Sequence, residues 1–273
     1  MSVRLVQLCA LSVLFAAQSA LAAITIPERF QHVDRITLCG GMDSPPIGFS
    51  NAQQQLEGVV VDFGNEIARR LGNKKINWKI IPFSGLIPAL LAKQCDMLAD
   101  QLFDKPERRE VIDIVNYMYS SQSVVVPHGN PKNIHSIDDL AGKKVAVLNG
   151  STIRSLLEEA SHKLTAAGKP AINLVVFNTD VDAFQSLRIQ QTDAYGTTVE
   201  TAGYYQAMAP GMFESAVPAF AKILTGFGFR KDDKAFSAAV QQILADMQAD
   251  GSYQKLLDKW HISGDSLQAG QSS

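Results

Sequence analysis

The chain has 273 residues and a formal net charge of −2, its 25 Lys and Arg set against 27 Asp and Glu. No Lys/Arg run or basic stripe exists, which leaves nucleic-acid binding without support. Beyond the leader described next, no segment is apolar over the ~20 residues that a membrane span needs, and the length suits two small α/β lobes or one large domain.

Arg4 precedes an apolar run over 5–17, and Ala20-Leu21-Ala22 supplies the small residues that signal peptidase requires. Gln7 and Gln18 interrupt the run, so it reads as a secretory leader cleaved after Ala22. Cys9 follows Val6-Gln7-Leu8, without the small residue expected before a lipidated cysteine. The expected product begins at Ala23, is exported in soluble form and is monomeric. Cys39 and Cys95 remain in it. They are placed at opposite ends of two strands, and a bridge needs Cα atoms within ~7 Å. The expectation is two buried free thiols.

Strands and helices then alternate. A strand over 35–39 leads to a helix opened by Asp62, with Phe63, Ile67 and Leu71 on one face and Gly72 after it. A strand over 77–81 precedes Phe83, and Ser84 is placed to cap a helix carrying Leu86, Ile87, Leu90 and Leu91. A buried strand over 96–100 follows, and Asp104 caps a helix opening Lys105-Pro106-Glu107-Arg108. That arrangement sets a guanidinium fork near the carboxyl edge of a sheet, where open α/β sheets bind ligands. On this segment alone, a solvated arginine and a core phenylalanine are the plainer readings.

An extended crossing over 123–126 opens a second βαβ series: a short helix from Ser136, strands over 144–148, 172–177 and 193–197, and helices over 151–167 and 181–190. Gly150-Ser151-Thr152 lies between a strand and a helix, where backbone N–H groups and the helix N-terminus favour an anion. No lysine follows, so a phosphate loop is not indicated. Thr198 falls at a strand edge, and Glu200 at the next helix start serves either the helix dipole or a ligand. An extended stretch over 222–230 and two helices, one with Phe236, Val240, Ile243, Leu244 and Met247 on a face, complete the chain. The five histidines are scattered without metal-ligand spacing. No metal, cofactor or catalytic residue is expected.

Several segments together resemble the periplasmic solute-binding proteins of ABC transporters that handle polar amino acids. They are Ser44-Pro45-Pro46, Glu57-Gly58 running to Asp62, the hexapeptide 85–90, the stretch from Asp96 to Pro106-Glu107-Arg108, and 111–119. To these are added 137–147, Gly150-Ser151-Thr152, Asp193-Ala194, and 249–253 before Trp260. The resemblance implies an α/β, two-lobed periplasmic-binding-protein fold of type II. Each lobe is a mostly parallel sheet flanked by helices, and two crossing strands form the hinge. The expected division is a leader over 1–22, a first lobe over 23–120 completed by 223–264, a second lobe over 121–222, and a disordered tail over 265–273.

In proteins it resembles, the aromatic at Phe83 packs on the ligand, and the arginine at Arg108 grips a carboxylate with help from Ser151 and Thr152. Asp43 stands where an aspartate is frequent, and Asp100, Gln101 and Phe103 replace the usual small hydroxyl residues. The usual ammonium-binding aspartate aligns with Thr198, so a cationic end is expected to lean on Asp100 or Glu200. The expected partners are a small amino acid or organic acid and an inner-membrane ABC permease. The alternative is a dehydratase acting on prephenate or arogenate on the same scaffold, with Glu200 or Asp100 as acid/base.

Overall fold

The computed structural model describes residues 24–268; the expected leader, with Cys9, and residues 269–273 lie outside the described part. The first part of the chain forms α1 (Glu28–Gln31), β1 (Arg35–Gly40), the short strands β2 (Asp43–Ser44), β3 (Gly48–Ser50) and β4 (Leu56–Glu57), and α2 (Val59–Arg70). β5 (Lys75–Ile80), a 3₁₀ turn at Phe83–Gly85, α3 (Leu86–Leu91), β6 (Met97–Phe103) and α4 (Pro106–Arg109) follow. β7 (Ile112–Pro127) is a long crossing strand. The second series holds β8 (Lys144–Leu148), α5 (Thr152–Ala166), β9 (Asn173–Phe177), α6 (Asp180–Arg188), β10 (Ala194–Thr198), α7 (Val199–Met208) and β11 (Phe213–Ser215). The crossing strand β12 (Phe220–Arg230), α8 (Lys234–Ala249) and α9 (Ser252–Lys259) return the chain.

The main sheet has the order β5-β1-β6-β12-β7-β10-β8-β9, with β11 on the far part of β7. β5, β1 and β6 are mutually parallel, and so are β10, β8 and β9. The antiparallel strands β12 and β7 stand between the two trios. β7 pairs with β12 from Ile112 to Gln122 and with β10 from Gln122 to Val125, so one strand serves both halves.

Core packing divides the same way. One apolar cluster joins α2, β6, β12 and α8, with Phe63 against Tyr117, Phe227 and Tyr253. A separate one joins Val124, Val145, Val147, Ile153 and Leu157 around β8 and α5. Further clusters under α3 and around Phe184 and Tyr195 cover the other faces of the two halves, so each lobe has its own apolar packing and backbone ladders link them. The C-terminal helices belong to the first core, where the Tyr253 hydroxyl donates to Tyr117 O at 2.8 Å and Trp260 Nε1 donates to Asp62 Oδ2 at 2.7 Å.

Several local expectations shift. Asp62 lies inside the first turn of α2, because Gly58 occupies the cap. Ser84 sits in the 3₁₀ turn and Gly85 caps α3. Asp104 accepts from Arg109 and Asn116, while Lys105 stands at the α4 cap. The stretch expected as tail from 265 is packed through Leu267: Ser266 is buried, and the Leu267 N–H donates to the Tyr253 hydroxyl at 2.9 Å.

The cysteine expectation is overturned. Cys39 and Cys95 form a disulfide, with Cα atoms 5.9 Å apart. Cys39 pairs in register with Leu98, and the Asp96 N–H donates to Thr37 O, so Cys95 stands beside the middle of β1 and not a strand length away. Both residues are buried in the α3 packing layer.

Candidate functional site

Strands of both trios run their carboxyl ends toward the line between the lobes, so the residues just after β1, β6, β8, β9 and β10 converge there. A cavity at that convergence is lined by Phe83, Asp100, Gln101, Phe103, Ser151, Thr152 and Thr198, all expected from sequence. Ser44, Gln122, Asp180, Thr197 and Thr201 complete its polar lining. The edge argument applied to β9 would have found Asp180, but starting the helix at Val181 left it outside. Gln122 was missed because it lies within a crossing strand and carries no local motif.

From the first lobe, β6 carries Asp100 and Gln101 into the cleft on a strand whose seven residues are all buried. Asp100 has both carboxylate oxygens occupied: Oδ2 accepts from Gly41 N and Oδ1 from Gln101 N, each at 2.7 Å. Burial still pushes its carboxyl up to about 6, with Asp43 adding to the rise and Arg108 opposing it. Phe83 is half-buried, with the Arg108 guanidinium 5.5 Å from its ring centroid.

From the second lobe, Ser151 caps α5, its Oγ accepting from Arg154 N and donating to Leu148 O. The first residue of α5, Thr152, is buried, and its hydroxyl has no partner. Asp180 is the first residue of α6, whose cap is Thr179, so its carboxylate is not spent on capping. It is 3% exposed, and its Oδ2 has no hydrogen-bond partner. Burial pushes its carboxyl up to about 7; Tyr195 and Ser44 oppose the rise, while Asp43 and Asp100 add to it.

Three expected residues are placed differently. Arg108 does not line the cavity; Nη1 donates to Phe103 O at 3.0 Å and Nη2 to Gly150 O at 3.3 Å, the second bond crossing the cleft. Gly150 has φ +76°, and a Cβ there would meet Ser84 of the other lobe at 3.3 Å, so the lobes touch at that point. Asp43 also lies outside the central cavity, and its Oδ2 accepts the Asp180 N–H at 2.8 Å across the cleft. Glu200 is buried behind Thr198, where Oε2 accepts from the Ser120 hydroxyl at 2.9 Å. It faces a neighbouring depression that it shares with Asp265 and Trp260. Burial first, then the Asp265 charge, push its carboxyl up to about 7.

Four buried polar atoms around the cavity or its floor lack partners: Gln101 Nε2, Gln122 Nε2, Thr152 Oγ1 and Asp180 Oδ2. Native folds pair such atoms, so each marks a group that something else meets. Three are donors and one is an anionic acceptor, and they come from both lobes and the crossing strand.

A sequence model of the bacterial extracellular solute-binding proteins, family 3, matches residues 36–263. The chain is 27% identical over 230 residues to the L-cystine-binding protein of Escherichia coli, covering 83% of each. It is 26% identical over 258 residues to the histidine-binding periplasmic protein of Salmonella typhimurium, covering 92% of this chain and 94% of that one. Among solved structures, an ancestral arginine-binding protein bound to arginine superposes with a TM-score of 0.77 at 29% identity, covering 83% of this chain and 98% of that one. An ancestral amino acid-binding protein, described as a precursor of cyclohexadienyl dehydratase, gives 0.75 at 28% identity, covering 83% and 95%. The relatives named here are binding proteins and not enzymes. Among the described residues no helix is long and apolar enough to cross a membrane.

Proposed function

The chain belongs to the bacterial extracellular solute-binding proteins, family 3, and on that premise we propose that it captures a small amino acid or related carboxylate in the periplasm and delivers it to an inner-membrane ABC permease. One observation carries the reading: unpartnered buried donors and one unpartnered carboxylate oxygen converge from two lobes on one cavity. A zwitterion supplies the missing partners of both kinds, and only a closed cleft presents them together.

In this reading Phe83 and Phe103 pack on the ligand, Gln101, Ser151, Thr152 and Thr198 hydrogen-bond it, and Arg108, beside Phe83 at the cavity's edge, reaches the carboxylate once the ligand is bound. Closure swings a lobe over 121–222 against one formed by 23–120 and 223–264, about the middle of β7 and β12. Ligand contacts to both lobes stabilise the closed state, so capture is a population shift. The leader over 1–22 is removed on export, and the mature protein acts as a monomer.

A thermal-shift screen of amino acids and organic acids tests this. A ligand at a hundred times its Kd stabilises the fold by about 2.7 kcal/mol, several degrees in melting temperature. A shift confined to one or a few small zwitterions or carboxylates is expected. No shift across the screen removes the reading, and aromatic product formed from prephenate or arogenate replaces it with the enzymatic one.

A further inference from the structure

Resting on that reading, we propose that Asp180 is the counter-ion for the ligand's α-ammonium, so that the cleft selects amino acids over the corresponding carboxylic acids. The cleft region holds several carboxylates, of which only Asp100 and Asp180 line the cavity. Asp100 accepts two backbone N–H bonds, one at each oxygen. Asp43 spends Oδ2 on the Asp180 N–H and lies outside the cavity lining. Glu200 holds the Ser120 hydroxyl at Oε2, and its Oε1, also without a partner, belongs to a residue that faces the Asp265 depression and not the cavity. Thr198 brings no charge, and its hydroxyl oxygen serves the start of α7. Among the described residues, Asp180 alone both lines the cavity and has a buried carboxylate oxygen without a partner.

Keeping a carboxylate oxygen dry and without a partner costs folding free energy, and the α6 cap does not require one here. Thr179 supplies the α6 cap, accepting from Asp182 N, so the cap itself does not need a carboxylate at position 180. The groups facing Asp180 are the acids Asp43 and Asp100 and the hydroxyls of Ser44, Tyr195 and Tyr205; among the described residues no cation pairs with it. A primary ammonium meets that deficit. It donates to Oδ2, offsets the mutual repulsion of the three acids, and leaves the free donors of Gln101, Gln122 and Thr152 for the ligand's acceptors. A carboxylic acid without the amine would gain those donors and leave Asp180 unpaired.

The test compares the wild type with Asp180→Asn. The standard L-amino acids, L-ornithine and L-cystine are screened on the wild type by thermal shift. The tightest is then titrated calorimetrically beside its counterpart carrying hydrogen in place of the α-amino group. The expected result is a roughly ten- to hundredfold loss of amino-acid affinity in Asp180→Asn, the size of a charge-assisted hydrogen bond. The des-amino compound should bind both proteins within twofold, and unliganded Asp180→Asn should melt higher than the wild type. Unchanged amino-acid binding by Asp180→Asn, or equal losses for both compounds, overturns the proposal alone. A wild type that binds none of the amino acids overturns the proposed function, and this proposal with it.

Discussion

Across the cleft, the Asp43 carboxylate accepts the backbone N–H of Asp180 at 2.8 Å. It ties the start of β2 in one lobe directly to the first residue of α6 in the other. Asp43 therefore acts on closure, and its residue type suits that task because the α6 N-terminus attracts an anion. Hydrogen bonds to charged groups contribute about 1.5–3 kcal/mol. Asp43→Ala should move the unliganded population toward open forms, seen as a larger radius of gyration in solution scattering. Asp43→Asn keeps an acceptor oxygen and should lie between the two; an unchanged radius in Asp43→Ala would remove the latch role.

The Cys39–Cys95 bridge closes a loop with a sequence separation of 56. Chain-entropy reasoning gives about 4 kcal/mol of stabilisation for such a loop. The double variant Cys39→Ala/Cys95→Ala should lose between about 2 and 5 kcal/mol in urea unfolding. A reducing agent should bring the wild type to the same midpoint if it reaches the buried sulfurs. A loss below 1 kcal/mol would mean that the bridge constrains little.

Phe83 packs partly on the α3 layer and partly on the cavity. Phe83→Ala should weaken ligand binding by about 0.5–1.5 kcal/mol, several-fold in Kd, with a modest fall in melting temperature. Arg108→Ala should cost more than tenfold in affinity, since it removes the proposed carboxylate partner and the cross-cleft bond to Gly150 together. Normal binding by Arg108→Ala would displace the carboxylate end from this part of the cleft.

Stability should depend on pH in an unusual direction. Asp100, Asp180 and Glu200 have carboxyls pushed up to about 6, 7 and 7, mainly by burial. A carboxyl raised above its unfolded value of roughly 4 contributes stability that is full below that value and lost as pH rises through the folded pKa. The unliganded protein should therefore melt higher at pH 5 than at pH 8. Saturation with an amino acid should flatten the trend, because the ammonium stabilises an ionised Asp180. A melting temperature that rises steadily from pH 5 to pH 8 without ligand contradicts the burial argument.

Glu200→Gln separates its raised site from those of Asp100 and Asp180. Glu200 touches Ser120 and the Asp265 side, and not the central cavity. The variant should retain ligand affinity within about twofold, a difference below 0.5 kcal/mol, while losing part of the pH dependence. A tenfold weaker affinity would return Glu200 to the ligand contacts.

Hydrophobic periodicity, cap residues and turn signals decided most elements, because those are local quantities: the strand before Gly150-Ser151-Thr152, the helix it opens, and the two extended crossings were all legible. The edge argument likewise put Phe83, Asp100, Ser151, Thr152 and Thr198 along one line, since each ends a strand or starts a helix there, and the family resemblance added Gln101 and Phe103. Register was not legible. Cys39 meets Cys95 because β1 and β6 pair Cys39 with Leu98, a choice made by packing in three dimensions. Nor did the sequence separate Asp43, Asp100, Asp180 and Glu200, which are alike as residue types. Which of them is consumed depends on tertiary contacts: Asp100 accepts from backbone N–H groups of its own lobe, Glu200 from Ser120, and Asp43 from the Asp180 N–H across the cleft. That contact joins residues more than a hundred positions apart and leaves no local trace in the chain.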